Sequence, residues 1–331
     1  MSISKRKIND RVMNPIGLGC MSLSWAYGVP PSEEDATQLL NRALDLGYDH
    51  LDTANIYGLG HNETLLGHAL QGRRSEFFLA TKMGLIIDGA KRGVDCSPAA
   101  IRKCVDESLA RLQTDHIDLY YMHRRDFNVP IEESVGAMAD LIKEGKIGSI
   151  GLSEMSAETL RKAAAEHPIA AVQTEYSLWT RNPEIAVLEA CAELGTTLVA
   201  FSPVGRGVLA NGVRDIEVLA EKDLRRNMPR FNAENWPKNL DLIDQFNLIA
   251  EEEGLTPAQL SLAWVLSRGE HVVAIPGTAS ITHLEENLAK WDWAISPDSE
   301  ARLDALINQE TVSGPRYGEL IQKTIDTEEF A

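Results

Sequence analysis

Short apolar runs alternate with amphipathic segments along almost the whole chain. Eight runs have the pattern of buried strands: PIGLGCM, YDHLDTA, EFFLATK, IDLYYMH, KIGSIGLS, AAVQTEY, TTLVAFSP and HVVAIPG. Helical periodicity covers residues 33–46, 62–70, 131–144, 156–166 and 184–194, and two further helices begin at Ser97 and near Ile281. The pattern predicts eight strands, each followed by a helix or by a loop and a helix.

This repetition is typical of parallel sheets, which occur as doubly wound sheets or as closed (β/α)8 barrels. The units are evenly spaced and no linker interrupts them, so we predict an α/β protein with a (β/α)8 TIM barrel, a single domain over residues 1–331. Residues 205–238 form a far longer loop than the roughly 2 to 6 residues usual after a strand, and such loops often carry function. A C-terminal tail follows at about residues 310–331.

The composition of the chain restricts the kinds of partner that it can bind and the environment that it suits. The 331 residues include 49 acidic and 32 basic ones, a formal net charge of −17 that repels nucleic acid and anionic membranes. No segment approaches the roughly 20 apolar residues that cross a bilayer, and the N-terminus lacks the apolar region of a signal peptide. The four cysteines show neither metal-ligand nor disulfide spacing, so we expect no metal and a reducing, cytoplasmic environment.

Four side chains suited to catalysis lie at or just after predicted strand ends. Asp52, Lys82 and His123 end three strands, and Tyr57 lies in the loop after Asp52. The C-terminal ends of barrel strands meet at one face, where barrel enzymes place their catalytic groups. Taken singly, each residue has a structural alternative: an Asp52–Lys82 ion pair, a hydrogen-bonded His123 and a packing Tyr57.

Together the four residues form a coherent proton donor. A tyrosine hydroxyl donates its proton poorly near neutrality unless a cation stabilises the phenolate, and Lys82 supplies that charge. Asp52 would keep a buried Lys82 protonated, while His123 would orient a carbonyl oxygen or share the proton. Because no residue can deliver a hydride, we expect a nicotinamide cofactor to supply it.

The glycine motifs GLGCMS at 17–22 and GLGHNE at 58–63 lack the third glycine of a dinucleotide fingerprint, so they do not support a Rossmann fold. Ordinary turns are the alternative for these glycines. A barrel would hold the cofactor with strand-end polar groups, an aromatic ring and helix N-termini. Candidates for these contacts are Ser153, Glu154, Gln173, Phe201, Ser202, Thr278, Ser280, Glu286 and Asn287.

A series of motifs in order carries a family resemblance. LDTANIYGLGHNETLLG, LATK, DLYYMHR, GLSE, VQTEYSLW, AFSPVGRGVL, PRFNAENWPKN and AIPGT with EEN resemble the aldo-keto reductases over essentially the whole length, in a branch with pyridoxal reductase-like and YakC-like members. The resemblance implies a (β/α)8 barrel that reduces aldehydes or ketones with NADPH, or runs the reverse reaction. It also implies a catalytic tetrad of Asp52, Tyr57, Lys82 and His123, with Tyr57 as the acid.

The resemblance also assigns cofactor contacts. The nicotinamide end falls on Ser153, Glu154, Gln173 and Phe201, the pyrophosphate on Ser202, Pro203, Val204, Gly205, Gly207 and Leu209, and the adenosine end on Ile275, Gly277, Thr278, Ser280, His283, Glu286 and Asn287; Met21 is a further expected contact. Glu154 stands where many relatives have Asn, and Phe201 stands where many relatives have Tyr. Relatives often carry Lys or Arg near the 2′-phosphate, where this chain has Ala279, Ser280 and His283, so we expect NADPH with NADH as the alternative.

The substrate is expected to be a small carbonyl or alcohol compound. Pocket walls are predicted from Trp25, Tyr27, Arg124 and Phe127, with Trp179 and Phe231 as further candidates; surface or packing roles are the alternative for each. Three arginines of the long loop, at 225, 226 and 230, either close over the cofactor or form a solvated charge run.

Two other functions fit parts of the pattern. One is a redox-sensing accessory subunit that keeps cofactor but scarcely turns over; the complete tetrad argues against it. The other is a barrel aldolase in which Lys82 forms a Schiff base. Asp52 would hold that amine protonated, which is the wrong state for a nucleophile.

Overall fold

Eight parallel strands form the central sheet of the computed structural model, which describes residues 4–88, 91–289 and 294–330. The strands are β1 (Leu18–Gly19), β2 (His50–Asp52), β3 (Phe78–Met83), β4 (Leu119–Met122), β5 (Ile150–Ser153), β6 (Ile169–Glu175), β7 (Thr197–Phe201) and β8 (Val272–Ile275). Each pairs with its neighbour in chain order. The two edges meet where Gly17 N donates to Ala274 O at 2.9 Å and Gly19 N to Pro276 O at 3.2 Å. The predicted (β/α)8 barrel is confirmed.

The helices lie between the strands and after the last of them. They are α1 (Glu33–Leu46), α2 (His61–Ala69), α3 (Pro98–Leu112), α4 (Ile131–Lys143), α5 (Ala157–Glu166), α6 (Val187–Leu194), α7 (Trp236–Glu252), α8 (Pro257–Ser267), α9 (Ile281–Leu288), α10 (Pro297–Leu306) and α11 (Glu319–Gln322). Ser97 caps α3 by accepting from Ala100 N, with Pro98 in its first turn, as predicted. The sequence pattern missed α7, α8, α10 and α11.

Two antiparallel hairpins were also absent from the predicted pattern. The first pairs Arg6–Ile8 with Arg11–Met13 and buries Ile8 and Met13 against the barrel-interior residue Phe78. The second pairs Leu85–Asp88 with Lys91–Val94, directly after β3. Their strands of three or four residues are too short to show the alternation by which strands are identified. The first hairpin covers the N-terminal end of the barrel, and the second adds to the wall beside Tyr57.

The long loop after β7 is held against the barrel. It ends at Trp236, where α7 begins, and not at residue 238 as expected. Leu224 N donates to Ala26 O at 3.0 Å and Gly28 N donates to Asp223 Oδ2 at 3.0 Å, so the loop is fastened to the segment after β1. Arg226 donates to carbonyls of the same loop, as does Arg225 in addition to its ion pair with Asp223. Arg225 and Arg226 therefore link parts of the loop, while Arg226 itself is exposed. The closing of these arginines over the cofactor stays a prediction.

Among the described helices, none has the length and apolar character to cross a membrane. The organisation of the chain as a single domain stays a prediction.

Candidate active site

The four residues of the predicted tetrad lie together at the C-terminal end of the barrel. Lys82 Nζ contacts Asp52 Oδ1, donates to Thr53 O at 2.8 Å and lies 3.3 Å from the Tyr57 hydroxyl. The rings of Tyr57 and His123 meet edge to face, with centroids 5.9 Å apart. All four are buried, with His123 and Tyr57 each keeping a small exposed edge. A continuous polar chain thus runs from Asp52 through Lys82 to the tyrosine oxygen.

A tight turn carries Tyr57 back over the end of β2. Gly58, Leu59 and Gly60 all have positive φ values of 58°, 55° and 92°, a conformation that glycine adopts without steric cost. Asn62, in the first turn of α2, ties this helix to the strand ends by accepting from Thr53 Oγ1 at 2.6 Å and donating to Cys20 O at 2.9 Å. The glycines therefore form a turn, and the buried amide of Asn62 holds the tyrosine loop in place.

Charge pairing keeps Lys82 protonated in a buried position. Burial alone lowers the pKa of Lys82, but the neighbouring Asp52 carboxylate and Tyr57 oxygen outweigh it and leave the pKa above its usual 10.5. Asp52 is itself satisfied, because its second oxygen accepts from Gln173 Nε2 at 2.7 Å. The site therefore presents a cation beside the tyrosine hydroxyl at neutral pH.

Tyr57 and His123 are both neutral at physiological pH. Burial raises the pKa of Tyr57 above 10, and the nearby Lys82 ammonium opposes this shift. Burial, together with Arg124 and Lys82, lowers the pKa of His123 well below 6.5. Nδ1 of His123 is buried without a hydrogen-bond partner among the described residues. A protonated phenol and an uncharged imidazole are thus available to a carbonyl oxygen.

The residues expected at the nicotinamide end converge beside the tetrad. Ser153 ends β5 and is the register partner of Gln173 in β6. Phe201 ends β7, is half-buried and offers a ring face for stacking. Met21 packs with Tyr57 and Ala54. Their placement fits an aromatic ring bearing an amide, and the contacts themselves stay a prediction.

The expected pyrophosphate segment forms a tight loop after β7. Ser202, Gly205, Arg206 and Gly207 have positive φ values of 50°, 55°, 59° and 93°. Successive backbone conformations of this kind form concave N–H arrangements suited to anions. Three N–H groups of this loop have partners inside it: Gly205 N donates to Ser202 O at 2.9 Å, and Gly207 N and Leu209 N donate to Val204 O at 3.0 Å and 3.1 Å. The phosphate contacts of the loop stay a prediction.

The expected adenosine end lies at β8 and α9. Thr278 accepts from Ser280 N at 3.0 Å, and Ser280 caps α9. His283 is exposed on the first turn of α9, whereas Asn287 is buried. The remaining expected adenosine contacts lie in the same segment: Ile275 ends β8, Gly277 lies just after it, and Glu286 belongs to α9. No lysine or arginine stands in the capping turn at 278–282.

Glu154 has protein partners for its side chain. One carboxylate oxygen accepts from Glu175 N at 2.9 Å and pairs with Arg316, and the other accepts from Thr327 Oγ1 at 3.4 Å. Glu154 has a φ of 55°, a left-handed backbone conformation that is uncommon for residues other than glycine, at the point where the chain leaves β5. The sequence-based interpretation missed Arg316 and Glu175, although a buried Glu at the end of an apolar strand is a recognisable signal.

Beside Tyr57, where the substrate is expected, the site has an apolar wall with the guanidinium of Arg124 at its edge. Trp25 lies 6.5 Å from the Tyr57 ring, and Leu85 and Ile87 of the second hairpin pack on the same cluster. Arg124 is half-buried beside Ser153, with Nη1 3.5 Å from its hydroxyl. Phe127 is 59% exposed. Leu85 and Ile87 were not predicted, because their hairpin was missed.

Three other predicted wall residues have contacts inside the protein. Tyr27 accepts from Arg206 at 3.0 Å and lies under Arg225. Phe231 is buried and stacks on Trp236, while Trp179 is buried beside Arg230. These contacts favour the packing alternative for Phe231 and Trp179. Within the described ranges, no group of three potential metal ligands is found.

The chain is similar to known proteins in both sequence and structure. The model of the Aldo/keto reductase family matches residues 15–308. Aldo-keto reductase yakc [NADP(+)] of Schizosaccharomyces pombe is 42% identical, over 96% of this chain and 95% of that protein. The glycerol dehydrogenase AKR11B4 of Gluconobacter oxydans has a TM-score of 0.85 at 28% identity, covering 95% of this chain and 98% of its own. An aldo/keto reductase of Klebsiella pneumoniae in complex with NADP and acetate has a TM-score of 0.72 at 28% identity, covering 96% and 99%.

Proposed function

The chain belongs to the aldo/keto reductase family, and we propose that it reduces an aldehyde or ketone to the alcohol with NADPH, or catalyses the reverse oxidation. The observation that carries this proposal is the buried chain Asp52–Lys82–Tyr57 with His123 at its edge. A proton donor with an adjacent fixed cation suits an oxygen that gains negative charge during reduction.

Each tetrad residue has a separate role in the proposed reduction. NADPH, when bound, supplies the hydride to the carbonyl carbon. Tyr57 donates its proton to the carbonyl oxygen, and Lys82 stabilises the resulting phenolate because its ammonium lies 3.3 Å away. Asp52 keeps Lys82 charged, and neutral His123 donates a hydrogen bond that orients the oxygen.

NADPH is the cofactor that the similar proteins support. The yakc relative carries NADP(+) in its name, and the Klebsiella pneumoniae structure contains NADP. In this chain Phe201, Ser153, Gln173 and the loop at 202–209 are the residues that would hold the cofactor. The 2′-phosphate would meet Ser280 and His283 and no arginine, so NADH remains the alternative.

The substrate class follows from the wall beside Tyr57. Trp25, Leu85 and Ile87 favour a partly apolar carbonyl compound, and Arg124 favours an acidic or hydroxylated substituent. The Schiff-base aldolase is disfavoured because the raised pKa of Lys82 keeps its amine protonated. A reducing, cytoplasmic compartment stays a prediction from composition.

Replacement of Tyr57 tests the proposed function. We expect Tyr57→Phe to lower kcat by about a thousand-fold or more and to leave the Kd of NADPH within about two-fold, because only the donated proton is removed. Carbonyl reduction is measured with a panel of aldehydes and ketones, using NADPH and NADH in parallel. Wild-type kcat/KM should favour NADPH. An unchanged kcat in the variant would contradict the role of Tyr57, and a wild-type protein that binds NADPH without reducing any carbonyl would favour the accessory subunit.

A further inference from the structure

Two buried arginine–glutamate pairs lie behind the expected nicotinamide site and outside the tetrad. Glu175 ends β6, and Glu154 directly follows β5. Arg206 of the loop after β7 pairs with Glu175 at 2.6 Å, and Arg316 of the C-terminal tail pairs with Glu175 at 2.8 Å and also contacts Glu154. All four side chains are more than nine-tenths buried. The tail therefore inserts a charged residue between two strand ends.

The network is balanced in charge and rich in hydrogen bonds. Arg206 and Arg316 lower the pKa of Glu175 to about 2, against the effect of burial, so its carboxylate is ionised. The Tyr317 hydroxyl lies 2.7 Å from Arg206 Nη2 and 3.1 Å from Glu175 Oε2. Buried ion pairs stabilise folds poorly compared with apolar packing, because desolvating the charges offsets their attraction. We therefore interpret the network as one that holds side chains in position and not as one that stabilises the fold.

The residues that the network fixes adjoin the expected nicotinamide contacts. Glu175 is the register partner of Phe201 across β6 and β7, and Glu154 follows Ser153 in the chain. The guanidinium carbons of Arg206 and Arg316 lie 5.9 Å and 6.0 Å from the centre of the Phe201 ring. Movement of Arg316 would therefore displace the stacking ring and the end of β5 together.

The rest of the tail is anchored to the same strand end. Asp326 N donates to Glu154 O at 3.0 Å, and its carboxylate accepts from the N–H and the hydroxyl of Ser156, both at 2.9 Å. Glu328 accepts from Ala157 N at 2.8 Å. These contacts cap α5 and hold the tail on the C-terminal side of Arg316. On its N-terminal side, Ser313 N donates to Asn239 Oδ1 at 2.8 Å.

We propose that Arg316 is a positioning residue, which orients the nicotinamide ring by fixing Glu154, Glu175 and Phe201 from the C-terminal tail. The inference rests on the proposed function, because it concerns the same cofactor site. It extends that site to the C-terminal tail, which meets the loop at 202–209 through the hydrogen bond between Arg206 and the Tyr317 hydroxyl.

The test separates the two ends of the cofactor. In Arg316→Gln we expect the Kd of NADPH to rise about ten-fold and kcat to fall about ten- to a hundred-fold, because a small misplacement of reacting groups is costly. The Kd of adenosine 2′,5′-bisphosphate, which lacks the nicotinamide, should stay within about two-fold of wild type. Arg316→Lys keeps the charge but has one nitrogen in place of the Nε and Nη2 that contact Glu175 and Glu154, so its effects should be intermediate.

Matched variants keep the test decisive. Arg302→Gln removes an exposed arginine that pairs with Glu252 and should leave both Kd values unchanged. Tyr317→Phe removes one hydroxyl without changing charge, and it should raise the Kd of NADPH by less than Arg316→Gln does. If Arg316→Gln does not fold, Tyr317→Phe and Arg316→Lys together provide the test. Equal changes for the two ligands, or none for either, would overturn the inference. Failure of the proposed function would instead appear in the wild-type protein, as a lack of NADPH binding.

Discussion

At the scale of single residues, the buried cation at the centre of the site explains most of its chemistry. Lys82 is fully buried, and its charge is maintained by Asp52, which has Gln173 as its second partner. Tyr57 and His123 are both kept neutral by burial. The site thus combines one fixed ion pair with two uncharged donors, the combination that a reduction near neutral pH needs.

Asp52→Asn should impair catalysis in a pH-dependent way. The amide keeps the shape of the side chain but removes the charge that raises the pKa of Lys82, so this pKa falls and the lysine loses its proton at a lower pH. We expect kcat for reduction to fall about a hundred-fold and its decline at alkaline pH to begin earlier than in wild type. The measurement is the pH profile of kcat/KM. Asp140→Asn, which removes an exposed carboxylate paired with Lys143, is the control. Identical profiles for wild type and Asp52→Asn would rule out this role.

At the scale of elements, the register of the strands decides which side chains share the barrel interior. Lys82 faces Tyr121 across β3 and β4, and Tyr121 faces Gly151 across β4 and β5. The Tyr121 ring occupies the space that a larger residue at position 151 would need. The absence of a side chain at Gly151 therefore makes room for an aromatic ring directly beneath the site.

Gly151→Ala should destabilise the barrel for a steric reason. A β-carbon at this position would overlap the Tyr121 ring, while the backbone conformation of Gly151 causes no strain of its own. We expect the free energy of unfolding to fall by about 1–3 kcal/mol, measured by urea denaturation. Gly136→Ala on α4 is the control, because its nearest neighbour is Glu166 Oε1 at 3.7 Å and alanine favours a helix by roughly 0.5–1 kcal/mol. Equal stability of the two variants would contradict the steric argument.

At the scale of the whole molecule, buried neutral histidines couple stability to pH. His50 is fully buried in β2, and neither ring nitrogen has a hydrogen-bond partner among the described residues. Burial lowers its pKa from 6.5 to about 4. Because the unfolded chain binds a proton below pH 6.5 that the folded chain does not, the stability that neutral His50 provides is present above pH 6.5 and is lost as the pH falls toward 4.

The contribution of His50 can be measured against a variant that does not titrate. A pKa lowered by about 2.5 corresponds to about 3 kcal/mol at 1.36 kcal/mol per pH unit. We expect the difference in free energy of unfolding between wild type and His50→Gln to shift by about this amount, against wild type, between pH 6.5 and about pH 4. Urea denaturation at several pH values measures it. If the difference in free energy of unfolding between wild type and His50→Gln does not change with pH, His50 takes up its proton equally in the folded and unfolded states, contrary to this prediction.

Local patterns in the sequence determined the barrel and the tetrad. Strand ends follow from runs of apolar residues, and parallel strands bring their C-terminal ends to one face, so the meeting of Asp52, Lys82 and His123 could be predicted without coordinates. The family motifs added the expected cofactor contacts. The sequence pattern did not predict the two short hairpins or the helices α7, α8, α10 and α11, although these elements change neither the strand order nor the tetrad.

Only the tertiary structure decided what surrounds the expected nicotinamide site. Arg316 lies 162 positions from Glu154 and 141 from Glu175, and no periodicity relates residues so far apart. Glu154 was expected to face the cofactor, and its partners are instead residues of the tail and of β6. Buried charges choose partners by proximity and charge in the folded state, because desolvation makes an unpaired charge costly. The sequence therefore determines which groups perform the proposed chemistry, and the fold decides which groups hold them in place.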